Sequence, residues 1–417
     1  MLSERNERKP SEEKKRSESR YRKPGFFSYT LARFAAFFVS RLIFKRKILR
    51  NEIRCAKGPY VVIANHEAAL DFVNLIGATP RRLTFVVSNS FFSTLPVQGV
   101  MRRMHVIPKQ QFQTELSDLR RMKAVVDSGN SFVIYPAGMM SENGLSTPIP
   151  EGTWQFLRWL GVDVYMAKTV GTYFAMPKWA GGFRRGRTYL DIYKLFGKEE
   201  LSAMPVEDVR RRAEEALFFD AYREQEKYKV LYKGNHRVQG LENVLYMCPI
   251  CGKEFSIRAA GENELVCDAC GFSEKADAFG FLHAQKKKRE IRYVSDWSSR
   301  ILERQRKKIG KGFFLRLKTA IRTIDPKKHK FRDSGEGVVT LTDEKLILEG
   351  KVGGEPLRIE HPSGAFPILP FSPGKHFEIQ NGKEIYRCLP EDGRQVMKFI
   401  DALKILHERS AVAAKAK

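Results

Sequence analysis

The sequence has no run approaching the roughly 20 consecutive apolar residues that span a bilayer. Its most apolar stretch, residues 26–44, is interrupted by Arg33 and Arg41, and its longest charge-free core covers only residues 34–40. Such a segment can lie in a membrane interface but is not expected to cross it. The N-terminus also lacks an apolar h-region and a small-residue cleavage site, so no signal peptide is expected. Cysteine is scarce: there are six, and four of them fall in two CxxC pairs. That excludes a secreted disulfide scaffold and points to a reducing, cytoplasmic setting. Acidic residues are too few to balance the basic ones, 48 against 74, which leaves a net charge of +26. The deficit is local. Residues 1–50 carry 15 Lys and Arg against 5 Asp and Glu, and residues 286–332 carry 18 against 4. Positive charge gathered in two patches on a nearly neutral remainder predicts attachment to a polyanionic surface, either nucleic acid or an anionic membrane.

A chain of 417 residues exceeds one ordinary core, so several units are expected. Residues 1–24 form a charged tail with almost nothing to bury and should be disordered. Residues 25–50 read as an amphipathic helix, with Arg33, Ser40, Arg41 and Lys45 on a polar face and Phe34, Phe37, Phe38, Leu42 and Ile43 on the rest. Two readings stand: a helix docked on the next domain, or an in-plane membrane anchor. Over residues 51–235, short apolar runs at 60–64, 84–87, 106–107, 131–135 and 162–167 alternate with helical patterns at 116–126 and 154–160. A single charged helix at 206–228 closes the segment. This alternation predicts an α/β domain with a largely parallel sheet flanked by helices. Residues 286–332 read as a basic helical linker. From about 335 to 410 the pattern becomes Gly-punctuated alternation, including Asn381-Gly382, followed by a helix at 394–407. A small C-terminal β-barrel with a capping helix is expected, and in architecture it resembles pleckstrin-homology-like modules.

Residues 245–283 hold Cys248-Pro-Ile-Cys251-Gly and Cys267-Asp-Ala-Cys270-Gly. Two thiolates two residues apart, repeated after a hairpin-sized spacer, have the spacing of a tetrahedral four-cysteine zinc ribbon. Gly252 and Gly271 permit the knuckle turns that aim backbone amides at the sulfurs. With all four positions filled by protein, the predicted ion is one structural Zn2+. The ribbon itself is not basic, since Glu254, Glu262, Glu264 and Asp268 offset Lys253 and Arg258. A structural or protein-contact role is therefore favoured over nucleic-acid binding, which stays open only because of the basic stretch that follows.

Directly after the apolar run Tyr60–Ala64 comes Asn65-His66-Glu67-Ala68-Ala69-Leu70-Asp71. On a continuous helix, positions five apart differ by about 140°, so His66 and Asp71 can meet only across a loop between strand end and helix start. There, a carboxylate on one imidazole nitrogen would fix the tautomer and make His66 a general base for a hydroxyl.

These residues resemble the NHxxxxD motif of the glycerolipid acyltransferases typified by 1-acylglycerol-3-phosphate acyltransferases, over about residues 54–196. A second block is similar at Leu95-Pro96-Val97-Gln98-Gly99 with His105-Val106-Ile107-Pro108-Lys109. A third is similar at 132–141, where Pro136, Gly138 and Ser141 keep the family pattern but its Glu, Thr and Arg are replaced by Ala137, Met139 and Met140. The literal Pro150-Glu151-Gly152-Thr153 precedes a helix instead of following a strand and is taken as coincidence. The resemblance implies an O-acyltransferase that moves a fatty acyl group from acyl carrier protein or coenzyme A to a lipid hydroxyl, with His66 and Asp71 catalytic. It implies substrate contacts at Asn65, Gly138 and Ser141, with Arg102, Arg103 and Lys109 as the nearest substitutes for the missing phosphate-binding Arg, and oxyanion donors among the amides around Gly138. No organic cofactor is implied. Anionic membrane lipids are the expected partners, on the inner face of a membrane, and nucleic acid is disfavoured. A non-catalytic lipid-binding or scaffold protein with this fold is the alternative.

Overall fold

The structure is a computed structural model describing residues 21–94, 98–111, 115–285 and 291–415. The charged tail up to residue 20, the start of the second block at 95–97 and the basic run 286–290 lie outside the described residues.

The first unit is a seven-stranded sheet of β1 (Lys47–Asn51), β2 (Tyr60–Ala64), β3 (Thr84–Ser88), β4 (Ile107–Lys109), β5 (Phe132–Ile134), β6 (Asp163–Val170) and β7 (Tyr189–Phe196). Its order is β1-β7-β6-β2-β5-β3-β4. The five strands from β6 to β4 are mutually parallel, while β7 runs antiparallel to β6. Central strands have no solvent face, which is why β2 reads as unbroken apolar sequence and is buried throughout. Alternate side chains still go to opposite layers. Val61 and Ile63 join Val164 and Met166 under the helices Leu116–Asp127, Gly152–Leu160 and Val206–Leu217, whereas Tyr60, Val62 and Ala64 join Tyr165 and Ala167 on the other face.

Three expectations require correction in or beside this unit. The stretch 206–228 is two helices, Val206–Leu217 and Ala221–Tyr228, because the Asp220 carboxylate accepts from the amides of Tyr222 and Arg223 and starts a new helix. Residues 47–50, assigned to the N-terminal helix, are instead edge strand β1, paired parallel with β7. The helix is Phe26–Leu42, and it is docked through Arg33 and Ser40 of the face read as polar, whereas Arg41 and the following Lys45 stay exposed. Tyr29, Ala36 and Ser40 are buried, and Arg33 donates to the Pro80 carbonyl at 3.1 Å. Small residues allow close approach to the short helix Asp71–Ile76, and the phenylalanines are left outside, with Phe27 85%, Phe34 63% and Phe38 44% exposed.

The cysteine region forms a four-stranded sheet of β8 (Ile257–Ala260), β9 (Glu264–Cys267), β10 (Ser273–Ala276) and β11 (Leu282–Ala284). The supposed basic linker is only partly helical, as Val294–Lys308. From Phe314 it runs as β12 (Phe314–Ile324), because Arg316, Lys318 and Arg322 alternate with inward Leu317, Thr319 and Ile321. β12 belongs to an antiparallel seven-stranded sheet with β13 (Phe331–Thr342), β14 (Lys345–Val352), β15 (Glu355–Pro362), β16 (Phe371–Ser372), β17 (His376–Asn381) and β18 (Glu384–Pro390). The order is β15-β14-β13-β12-β18-β17-β16. The helix Gln395–Lys415 packs on it, and Phe399 stacks on Phe377 at 4.1 Å between ring centroids. One continuous core runs from Tyr173 and Tyr222 of the first unit through Cys248, Leu265 and Trp297 to Leu348 and Leu403 of the last.

Candidate active site

The chain leaves β2 at its C-terminal end, where parallel sheets present loops to ligands. Asn65 is buried there and spends its amide on one neighbour, donating to the Thr169 carbonyl and accepting from the Thr169 amide, both at 2.8 Å. It clamps the end of β2 to β6 and does not line the cavity described below. The chain then turns through residues 66–70 and enters a helix at Asp71. That turn closes the five-residue gap, so His66 Nδ1 lies 3.0 Å from Asp71 Oδ2. The same carboxylate oxygen accepts from the amides of Glu67 at 2.8 Å and Ala68 at 2.9 Å. An oxygen that receives two amide protons faces the imidazole as an acceptor, so Nδ1 carries the ring proton and Nε2 holds the lone pair. Tyr135, following β5, packs its ring 4.4 Å from the His66 ring. Glu67, which the sequence reading passed over, is fully buried and accepts from Thr172 Oγ1 at 3.1 Å and the Tyr173 amide at 3.0 Å. Burial, and next the Asp71 carboxylate, push its pKa up to about 8.

His66 lines a cavity of about 680 Å³. Most of the wall is apolar, supplied by Ala32, Ala36 and Val39 of the N-terminal helix together with Val73, Phe85 and Met104. Of the residues expected to touch substrate, Lys109 and Gly138 line this cavity, whereas Arg102, Arg103 and Ser141 do not. Arg102 and Arg103 are exposed on their short helix. Ser141 is buried, with its hydroxyl donating to the Leu145 carbonyl at 2.7 Å and accepting from the Gly144 amide at 2.9 Å. Its own amide donates to the His66 carbonyl at 3.2 Å, so it organises the loop beside the histidine. Gly138 has a left-handed φ of 66°, which explains the glycine, but its amide donates to the Tyr135 carbonyl at 2.9 Å. The flanking amides of Ala137 and Met139 make no hydrogen bond among the described residues. The Pro150-Glu151-Gly152-Thr153 sequence opens the helix Gly152–Leu160, as its sequence position implied.

The remaining wall comes from β16 to β18, through Phe371, Ser372, His376, Glu378 and Arg387, facing Lys178 of the loop after β6. Arg387 bonds Glu378 Oε1 through Nε at 3.0 Å and Nη2 at 2.8 Å, and Ser90 donates to the same oxygen at 2.6 Å. No local sequence signal brings these residues to the cavity, because Ser90 and Glu378 meet across 288 positions.

At the second site the four cysteine sulfurs lie within 4.8 Å of one another. Cys248 and Cys270 are separated by 3.7 Å, and Cys251 and Cys267 by 3.8 Å. A tetrahedron with Zn–S bonds of about 2.3 Å has edges of about 3.8 Å, so the sulfur positions suit zinc. The two knuckles match: the Gly252 amide bonds the Cys248 carbonyl and the Gly271 amide bonds the Cys267 carbonyl, with φ values of 75° and 68° at the glycines. Arg304 braces the first knuckle through the carbonyls of Cys248 and Pro249. The cluster fits a zinc ribbon.

Residues 45–169 match the model of the Acyltransferase family. The segment that holds the His66–Asp71 pair and the strands from β2 to β6 is thus similar to the acyltransferases of that family. Among curated proteins, the 1-acyl-sn-glycerol-3-phosphate acyltransferase BAT2, chloroplastic, of Brassica napus is 28% identical over 127 residues, 30% of this chain and 36% of that protein. The match therefore spans about a third of the relative's length. Among solved structures, the 1-acyl-sn-glycerophosphate (LPA) acyltransferase PlsC of Thermotoga maritima aligns over 49% of this chain and 78% of that one, with 18% identity and a TM-score of 0.39.

Proposed function

We propose that the protein transfers a fatty acyl group from a thioester of acyl carrier protein or coenzyme A to the hydroxyl of a glycerolipid at a membrane surface. The observation that carries this reading is an Asp71-oriented imidazole at the wall of a deep, mainly apolar cavity. His66 Nε2 takes the hydroxyl proton as the oxygen attacks the thioester carbon. Charge on the resulting oxyanion is met by the amides flanking Gly138, at Ala137 and Met139. The intermediate collapses by breaking the C–S bond, and the leaving sulfur recovers the proton from Nε2. The products are an ester and a free thiol.

Among the described residues no helix is long and apolar enough to cross a membrane. We assign membrane attachment to the exposed phenylalanines of the helix Phe26–Leu42, beside Arg41 and Lys45, since aromatic and basic residues together suit an anionic interface. The opposite face of that helix lines the cavity, so an acyl chain can pass from the bilayer edge toward His66. Zinc at Cys248, Cys251, Cys267 and Cys270 would be structural and take no part in transfer.

The test is thioester consumption over a panel of lysolipid acceptors in liposomes, comparing wild type with His66→Ala. Loss of a general base should cost on the order of 10²–10⁴ in rate. Activity of the variant within threefold of wild type would overturn the mechanism.

A further inference from the structure

The cavity that His66 lines has a polar end built across two units. Its charged lining groups are Lys109, Lys178 and Arg387 on the positive side and Glu378 on the negative, with His66 and His376 as the histidines. Glu378 is committed to Arg387 and Ser90, so the lining keeps an excess of positive charge. Lys178 holds the least satisfied of these cations. Its ammonium nitrogen is shut off from solvent and has no hydrogen-bond partner among the described residues. It rests 3.6 Å from the ring centroid of Phe371 on β16. The nearby carboxylate of Glu142 is taken by Lys404 at 2.9 Å.

A buried ammonium without an acceptor is costly, and a cation against an aromatic face recovers only part of that cost. Burial, helped by Lys404 and opposed by Glu142, lowers the Lys178 pKa to about 8, so it remains largely charged at neutral pH. His376 is driven down to about 3 by burial and by Arg387 and Lys178, and serves there as a neutral polar group. This arrangement coincides with the absence of a basic side chain from the third block, where Ala137, Met139 and Met140 line the same cavity without charge.

We propose that the C-terminal sheet completes the substrate site, and that Lys178, together with His376 and the Arg387–Glu378 pair, receives a phosphate carried by the substrate. This rests on the acyl-transfer reading for which end of the substrate faces His66. Phosphate could arrive on the lipid acceptor or on the thioester donor. We assign it to the acceptor, whose hydroxyl and head group must share one chamber with the histidine.

The experiment uses the full-length His66→Ala protein without acyl donor, so that no turnover occurs, and measures binding of 1-oleoyl lysophosphatidate and of uncharged 1-oleoylglycerol. Adding Lys178→Met should weaken lysophosphatidate binding at least tenfold and leave oleoylglycerol within twofold. Lys178→Arg should restore most of it, and His376→Asn on β17 should show the same selective loss. Equal losses on both lipids, or none on either, would overturn the proposal. In the His66-intact protein, Lys178→Met should raise KM for the acceptor and leave KM for acyl-coenzyme A unchanged. A rise only for acyl-coenzyme A, with no rise for a phosphate-free acyl thioester, would move the phosphate to the donor and refute the assignment. Selective lysophosphatidate binding without turnover of any acceptor would sink acyl transfer while leaving the phosphate site in place.

Discussion

Lys404, near the end of the chain, forms a buried ion pair at 2.9 Å with Glu142, in the loop that follows the third acyltransferase block. Burial alone would push the Glu142 carboxyl up, but Lys404 and Lys178 outweigh it and hold it below its ordinary value. Breaking a buried pair by removing one partner typically costs about 3–5 kcal/mol, because the other charge is left uncompensated. Lys404→Met should therefore destabilise the protein far more than Lys404→Met combined with Glu142→Gln. Thermal unfolding of the two singles and the double gives the coupling directly, and additive losses would show that the pair does not join the units.

Asn65 separates two explanations of one motif. Held to the Thr169 backbone, it should act through position, and Asn65→Ala should lower the melting temperature by orphaning a buried amide and carbonyl, each worth about 1–3 kcal/mol. Transfer should fall mainly in kcat as His66 shifts. A raised KM with unchanged melting temperature would instead mean that Asn65 touches substrate.

The buried Glu67 predicts a pH dependence of stability. Its folded pKa of about 8 lies above the ordinary 4.5, so the folded state holds the proton more tightly than the unfolded chain. Its contribution is full below pH 4.5 and is lost as pH rises toward 8. Glu67→Gln should remove that slope, and the wild type should lose on the order of a few kcal/mol relative to the variant across this window. Parallel melting curves from about pH 5 to 8 would contradict the assignment.

Purified, freshly reduced protein should contain one zinc per chain by metal analysis, and Cys248→Ser should release it. The ribbon shares its core with the C-terminal sheet, so metal loss should also loosen Trp297, which donates to the Met247 carbonyl at 2.9 Å just before the first knuckle. A change in tryptophan fluorescence that tracks chelation is the check.

Replacing Phe34, Phe37 and Phe38 with Ser should leave stability nearly unchanged, because these rings face outward. Liposome flotation should become fully salt-sensitive, since only Coulomb attraction would remain. Activity on embedded acceptors should fall more than on short soluble ones. A large drop in melting temperature would mean that the rings are core after all.

Local grammar makes much of this molecule legible. β2 can be read from five apolar residues in a row, and the His66–Asp71 contact from a strand end followed by a helix start. The cysteine cluster follows from spacing that recurs within one hairpin. The N-terminal helix defeats such reading because amphipathicity ranks residues by polarity, whereas docking selects size: Ala36 and Ser40 fit against the helix Asp71–Ile76 and phenylalanines do not. β12 is hidden by charge, since a strand with one wet face can carry a basic residue at alternate positions. The polar end of the cavity has no local pattern to find. Lys178 and Phe371 meet only when the C-terminal sheet closes on the loop after β6.

The contact between Ser90 and Glu378 joins positions 288 residues apart. At ribosomal speeds of about 5–20 residues per second, the second partner emerges roughly 15–60 s after the first. The His66–Asp71 loop can therefore form on the nascent chain while one wall of its chamber does not yet exist. A ribosome-bound fragment ending before β16 would carry the histidine without the enclosure, so the chamber belongs only to the finished chain.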